Sequence, residues 1–349
     1  MPQPGFFDLD ERSERLTRLG DPLAHIHQGV DWDAFRLRLE GLRDKPRESN
    51  AGRKPYDAGL MFKVRVLQHR YNVSDESIEY PIRDRYSFSR FLGLLPEDRV
   101  PEATTVWLFR EALAKENAVE ALFRAFNQPL ERAGFIARKG QIIDARIVSA
   151  PKQRNSREEN DAIKRGETPE AWQDKPAKLR QKDTEARWTK KHGKSSYGYK
   201  NHVSGDAAHK LVRRYEVTDA AVHDSPVFEP LLDRANTGSE VWADRAYRSE
   251  ETERRRREKE LRSRIHRRGH RHKALSAYQQ EVNRRRSSIR VRVEHVFGAQ
   301  QNEQGGKLVR TIGWGRAKAQ IGLMNLVYNM RRLSYLIRSG GKGPMPAPA

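Results

Sequence analysis

At Gln141 the repeat of apolar residues changes from a helical period to the short runs of strands, and this switch sets the outline of what the chain can become. Before it, Leu60, Val64, Leu67 and Tyr71 recur at i, i+4, i+7 and i+11, one face of a helix. Asn72-Val73-Ser74 interrupts that face. Ser74, followed by Asp75 and Glu76, reads as the capped start of a second helix that Pro81 should kink or shorten. Ser87 to Leu92, closed by Gly93, predicts another. Thr104 or Thr105 opens a helix carrying Val106, Phe109 and Leu113, and Val119, Leu122, Phe126 and Leu130 mark the next, stopped by Gly134. Residues 51–134 therefore predict a helical domain with helix-turn-helix-like spacing. Residues 1–50 predict a weakly patterned segment with one short helix around Trp32–Leu42.

Beyond the switch, Gln141–Val148, Tyr197–Ser204, Leu211–Thr218, Val241–Asp244 and Leu261–Ile265 predict strands, while Val227–Arg234 and Ser249–Lys259 predict helices. This alternation makes residues 135–338 an α/β domain with a mixed sheet. It is interrupted by residues 152–196, a stretch of 45 rich in Lys, Arg, Glu and Gln, too long for a passive connection. Trp172 and Trp188 are its expected anchors, with stacking on unpaired bases the other use of two such rings. Leu323, Leu326, Met330, Leu333 and Ile337 predict a final helix covering the core. The tail 339–349 is rich in Gly, Pro and Ala and is expected to be disordered.

Charge narrows the function. The chain of 349 residues carries 68 Lys and Arg against 47 Asp and Glu, a formal +21, which calls for a polyanionic partner. The excess is concentrated: residues 251–290 hold 15 Lys/Arg against 5 Glu. With no cysteine there are neither disulfides nor thiolate metal sites. No apolar run approaches the roughly 18 residues of a membrane span, and the N-terminus lacks the basic start and apolar centre of a signal peptide. A cytoplasmic protein close to the nucleoid is expected, with no membrane partner.

Three acids stand out by their surroundings. Asp144 follows Ile142-Ile143, Asp244 follows Val241-Trp242-Ala243, and Glu294 lies in a helical stretch running from Arg286 to Phe297. A carboxylate at the end of a buried strand is held rigidly and partly shielded from water, which suits a divalent metal ligand. Oxygen-only ligands suit Mg²⁺, with Mn²⁺ as a substitute. Arg286 and Arg290 share the helical face of Glu294 and could bring phosphate to it. Lys200, Arg264, Arg267, Arg268 and Arg271 are further candidates for contact with DNA. His266, His270 and His272 stand among these arginines, which would repel a cation and favour phosphate. The plainer alternatives are hydrogen-bonded strand-end acids for Asp144 and Asp244, and for Glu294 a surface pair with Arg290 four residues away. His223-Asp224 reads as a turn before a helix.

The motifs Ile143-Asp144-Ala145, Tyr197-Gly198-Tyr199-Lys200-Asn201-His202, Ala243-Asp244-Arg245-Ala246-Tyr247 and Val293-Glu294-His295-Val296-Phe297, in this order, resemble those of the DDE transposases of bacterial insertion sequences, in particular the group named after insertion sequence five. The likeness extends from Gly5-Phe6-Phe7-Asp8 to the C-terminal helix. It implies an RNase H-like catalytic core after an all-helical DNA-binding region, with Asp144, Asp244 and Glu294 as the metal-binding triad for phosphodiester cleavage: two ions about 4 Å apart, Asp144 bridging them, Asp244 on one and Glu294 on the other. It also implies DNA as partner, both terminal inverted repeats and target, a dimer or larger assembly on DNA, and joining of freed 3′-hydroxyl ends to the target. Related transposases place Tyr, Arg and Lys seven before, four before and seven after the glutamate. Here those positions are Ser287, Arg290 and Gln301, so only the arginine matches, with Lys307 a partial replacement for the lysine. An RNase H-like nuclease without strand transfer and a non-catalytic basic nucleic-acid-binding protein remain the alternatives.

Overall fold

The computed structural model describes residues 8–43, 54–136, 140–191, 193–233, 239–247, 253–254, 257–258, 260–267, 269 and 274–340. The chain divides into two compact units, Met1–Ala133 with Leu326–Ala349, and Gly134–Asn325. No helix among the described residues is long and apolar enough to cross a membrane.

The first unit is helical. Asp8–Arg18, Pro22–Gly29 and Arg36–Glu40 precede Ala58–Tyr71, Glu79–Asp84, Tyr86–Leu92, Ala103–Lys115 and Ala118–Arg132. The N-terminal stretch is more regular than its weak patterning suggests, because Leu23, Ile26, Val30, Phe35 and Leu39 are buried. Asp57 caps Ala58–Tyr71 by accepting from the Leu60 amide, and Gly93 ends Tyr86–Leu92 in the left-handed conformation at φ 73°.

Two expectations need correction. Ala58–Tyr71 does not bury a single stripe: Leu60 and Tyr71 are half-buried, while Met61, Phe62 and Val66 are buried together with the polar Arg65, Gln68 and His69. And Ser74 caps no α-helix; its hydroxyl accepts from the Ser77 amide in a turn, and the helix begins only at Glu79. Both have one cause. Asp75 is drawn inward to accept from Arg65 Nη1 at 2.9 Å and Gln68 Nε2 at 2.9 Å, and it also pairs with Arg110. Buried polar groups are tolerated when they satisfy one another. Pro81 then falls in the first turn of Glu79–Asp84, where a missing N–H costs nothing, so no kink results.

The second unit holds a six-stranded sheet. Its strands are β1 (Gln141–Ser149), β2 (Arg187–Lys191), β3 (Lys194–Asp206), β4 (Val212–Asp219), β5 (Glu240–Ala243) and β6 (Arg262–Ser263). The order is β2-β3-β1-β5-β6, and β4 shares the outer edge of β3 with β2. β1 runs antiparallel to β3 and parallel to β5, and β6 is parallel to β5, so the sheet is mixed as expected. Side chains alternate across a strand, which separates two apolar clusters. Ile143, Val241, Ala243 and Ile265 pack with Val227, Phe228, Leu231 and Tyr247. Val148, Tyr199 and Val217 pack with Val309, Ala317, Ile321 and Met324. Alternation along β1 therefore puts Asp144 and Arg146 on the face opposite Ile143. The expected helix Ser249–Lys259 falls mostly outside the described residues, as does nearly all of the 339–349 tail. The final helix spans Trp314–Arg338, counted with this unit up to Asn325 and with the first from Leu326.

Residues 152–196 are folded rather than loop-like, with helices at Arg157–Lys164, Glu170–Gln173 and Pro176–Arg180 before β2. Ser156 and Glu159 form a reciprocal capping box. Glu159 Oε1 also accepts from Trp172 Nε1 at 2.5 Å and from Lys178 at 3.0 Å. Trp172 is fully buried, whereas Trp188 is 44% exposed and lies beside the Tyr197 ring, so one tryptophan anchors the insertion and the other does not. Its return to the sheet is fixed at buried Asp183, which accepts from the Tyr199 hydroxyl at 2.9 and 2.8 Å.

Two outcomes follow. Asp75→Ala leaves buried Arg65 without its anion, takes one of two from Arg110, and should destabilise the helical unit by about 3 kcal/mol, read as a lowered melting midpoint; an unchanged midpoint would show the network to be energetically idle. In the insertion, burial would raise the Glu159 carboxyl, but the Ser156 amide, Lys178 and Trp172 together hold it down to about 2 from the usual 4.5. A depressed carboxyl stabilises the fold above its unfolded value. Local stability around Trp172 should thus be present above pH 4.5 and be lost as pH falls toward 2, with Glu159→Gln flattening the dependence, as tryptophan fluorescence would report.

Candidate active site

Strand register builds the site. Ile143 of β1 pairs with Ala243 of β5, and Val241 of β5 pairs with Ser263 of β6. Past the end of β6 the parallel spacing continues, Arg264 N donating to Val241 O at 2.8 Å and His266 N to Ala243 O at 3.4 Å. Ile143, Ala243 and Ile265 thus form a buried row across three neighbouring strands, all at most 1% exposed. The next residue on each strand, Asp144, Asp244 and His266, continues that row on the opposite side. Two of the three sequence-chosen acids are neighbours because their strands are.

The third arrives on a helix. The expected continuous helix from Arg286 to Phe297 is broken: Ala277–Arg290 gives way to a 3-10 turn at Val291–Val293, and Glu294 opens a second helix to Glu303. Buried Val293 sits in that tighter turn, which shifts the helical phase, and the surface pair between Arg290 and Glu294 is replaced by two others. Arg290 Nη1 donates to Asp144 Oδ2 at 2.6 Å, and Arg146 Nη1 donates to Glu294 Oε2 at 3.3 Å. Arg146 Nη2 also reaches Gln301 Oε1 at 2.8 Å. Arg146 was missed in the sequence, although its place two residues after Asp144 on a strand puts both on one face.

The three carboxylates differ in environment. Asp144 is shielded, its side chain 14% exposed, whereas that of Glu294 is 54% exposed. Burial pushes the Asp144 carboxyl up; Arg290 and the Ala145 amide oppose this, and the negative charges of Glu294 and Asp244 push it further up. Asp244 is held down to about 2, foremost by the facing His266 imidazole and, against partial burial, by the Arg245 amide. Tyr247 is buried, its hydroxyl has no hydrogen-bond partner among the described residues, and burial raises it well above its usual value with Asp224, Asp144 and Asp244 adding to the effect. Its ring belongs to the apolar cluster under the site, a role its motif position alone did not disclose.

The basic candidates are placed less uniformly. Lys200 is on the face of β3 opposite Asp144 and Arg146, its Nζ held by Val222 O at 2.5 Å and Asp224 Oδ1 at 3.0 Å. Asp224 opens the helix Asp224–Leu231, with His223 as its cap. Arg264 pairs with Glu240 at 2.7 Å, and Arg286 Nη1 donates to Ile265 O at 2.6 Å. The Arg267 backbone is held twice by Asn283, at 2.9 and 3.0 Å. Arg268, Arg271, His270 and His272 lie outside the described residues. Among the described residues no three His, Cys, Asp or Glu stand together in an arrangement that holds a metal ion. The donor chemistry nevertheless fits one: Asp144, Asp244 and Glu294 offer only oxygen, which suits Mg²⁺, and the upward push of Asp244 and Glu294 on Asp144 is a repulsion that a cation relieves.

The family model for a transposase DDE domain matches residues 137–330, more than half of the chain. The chain belongs to the DDE-domain transposases. A second model, transposase domain (DUF772), matches residues 10–112 of the transposase. Among solved structures, the cryo-EM structure of a piggyBac transposase synaptic complex with hairpin DNA aligns with 12% identity and a TM-score of 0.48, covering 95% of this chain and 78% of that one. The transposase is accordingly a DNA-cleaving enzyme.

Because Arg290 is the foremost group opposing the upward shift of Asp144, Arg290→Gln should raise the Asp144 titration midpoint in metal-free transposase, followed by carboxyl ¹³C NMR. An unmoved midpoint would mean the ion pair does not set the charge of Asp144.

Proposed function

We propose that this transposase binds the terminal inverted repeats of an insertion sequence of the group named after insertion sequence five, cuts phosphodiester bonds there, and joins the freed 3′-hydroxyl ends to target DNA. Asp144, Asp244 and Glu294 are the carboxylates that hold divalent metal, Mg²⁺ or in its place Mn²⁺. The observation that carries this reading is the parallel register that sets Asp144 beside Asp244, with the Glu294 turn packed on the same strand. The strand order, antiparallel on one side of β1 and parallel on the other, supports an RNase H-like core.

Bound at these oxygens, a pair of divalent ions would supply charge neutralisation for the attacking and departing oxygens of the phosphate. The protein's own residues set the scene for this. Arg290 turns Asp144 toward the site and keeps part of its charge balanced. Arg146 holds Glu294 on the face of β1 that carries Asp144. The concentrated positive charge of residues 251–290, including Arg264, Arg267, Arg268, Arg271, Arg286 and Arg290, draws the DNA backbone in. The helical residues 51–134 are the second DNA contact, and a dimer or larger assembly holds two ends together.

Prenicked transposon ends mixed with a plasmid target separate the readings. Joined products support strand transfer, whereas cuts alone indicate a nuclease. Asp144→Asn, Asp244→Asn and Glu294→Gln should each lower cleavage by at least about 100-fold, the scale for removing a group that stabilises developing charge. Cleavage by Asp144→Asn at the native rate would overturn the assignment.

A further inference from the structure

His266 is tied into the structure on every side. Its amide donates to Ala243 O, which continues the parallel ladder beyond β6. The backbone on either side is fastened to the helix Ala277–Arg290, Ile265 O by Arg286 Nη1 and Arg267 by both polar atoms of Asn283. Its side chain is only 13% exposed. Nε2 lies 3.1 Å from Ser287 Oγ, and Nδ1 lies 3.7 Å from Asp244 Oδ1. Asn283, Ser287 and Arg290 are spaced four and three residues apart, so one helical face grips the strand, the imidazole and Asp144 in turn.

We propose that His266 is a positioning residue for Asp244: the imidazole, locked by Ser287, engages carboxylate oxygen Oδ1 and thereby presents Oδ2 to the reaction. This rests on the reading of Asp244 as a metal-holding carboxylate and adds to it the group that orients the carboxylate. A neutral imidazole donates from one ring nitrogen and accepts at the other. If the Ser287 hydroxyl donates to Nε2, the remaining N–H sits on Nδ1, facing Asp244. The Arg245 amide also donates to Oδ1, at 2.8 Å. Both neighbours thus address one oxygen, which fixes the rotation of the carboxylate and leaves Oδ2 turned away from them. The 3.7 Å separation exceeds a hydrogen bond, and a small turn of the Asp244 side chain, 37% exposed, closes it. Ser287, a departure from the tyrosine of related transposases, gains a purpose here: a hydroxyl on this turn reaches the imidazole.

The test uses the full-length protein and Mn²⁺ as the probe. His266→Leu keeps bulk and removes the donor. His266→Asn keeps an N–H near the position of Nδ1. Ser287→Ala unlocks the ring. Binding of Mn²⁺ is followed by its electron paramagnetic resonance, beside the half-saturating Mn²⁺ for nicking of DNA. The expected result is a 10- to 100-fold weakening in His266→Leu, the range for groups that orient a metal ligand. Recovery to within a few-fold in His266→Asn is expected, a smaller weakening in Ser287→Ala, and for all three a nicking rate largely regained at saturating Mn²⁺. Native Mn²⁺ dependence in His266→Leu would overturn the proposal, and so would equal weakness of the Leu and Asn variants, which marks the ring as filler. Should His266→Leu fail to fold, Ser287→Ala with native Mn²⁺ dependence overturns it. Asp244→Asn separates this from the wider reading: if that variant binds Mn²⁺ and nicks like the native protein, the site itself is wrongly assigned. If it loses both while His266→Leu does not, only the role of His266 falls.

Discussion

The parallel pairing of β1, β5 and β6 is the constraint on which the site depends. Backbone hydrogen bonds set the level of each strand, and the level sets which side chains are neighbours. Ile143, Ala243 and Ile265 are buried as one row, so Asp144, Asp244 and His266 must emerge as the next. A slip of one residue in either pairing would exchange the rows, exposing apolar side chains and burying carboxylates. The apolar cluster thereby enforces the geometry of the polar one, although it touches no substrate.

Electrostatics then differentiates acids that the backbone brings together. Asp144 and Asp244 are adjacent carboxylates, yet burial pushes one up while an imidazole and an amide hold the other down. Two arginines keep the group from being an uncompensated cluster of negative charge, Arg290 on Asp144 and Arg146 on Glu294. The same principle governs the helical unit and the insertion, where Asp75 and Glu159 each gather several donors around one carboxylate. In a chain so rich in arginine and lysine, anions are the scarce component. Where one is buried, it organises its surroundings.

Much of this was legible beforehand, since period and composition are local properties. The change of period at Gln141 marked the passage from helices to a mixed sheet, because alternation and helical spacing follow from backbone geometry alone. Asp144 and Asp244 were visible as acids ending apolar runs, and the absence of cysteine together with the basic excess had already excluded thiolate ligands and pointed to a polyanionic partner. The ordered motifs resembled those of the transposases, and the family match agrees.

What tertiary structure alone decided is which charges meet. Nothing near Asp75 in the chain announces that it will leave its turn to serve Arg65 and Arg110. Nothing near Arg146 announces Glu294, 148 residues away. The helix through Glu294 looked continuous, and the 3-10 turn that redirects it is set by the burial of Val293 against the sheet. Lys200 seemed poised for phosphate, but the alternation of β3 puts it on the other face with Asp224. Sequence determined the elements and the acids they end on, because those depend on residues a few positions apart. Partners depend on register and packing between distant segments, and these exist only once the chain has folded.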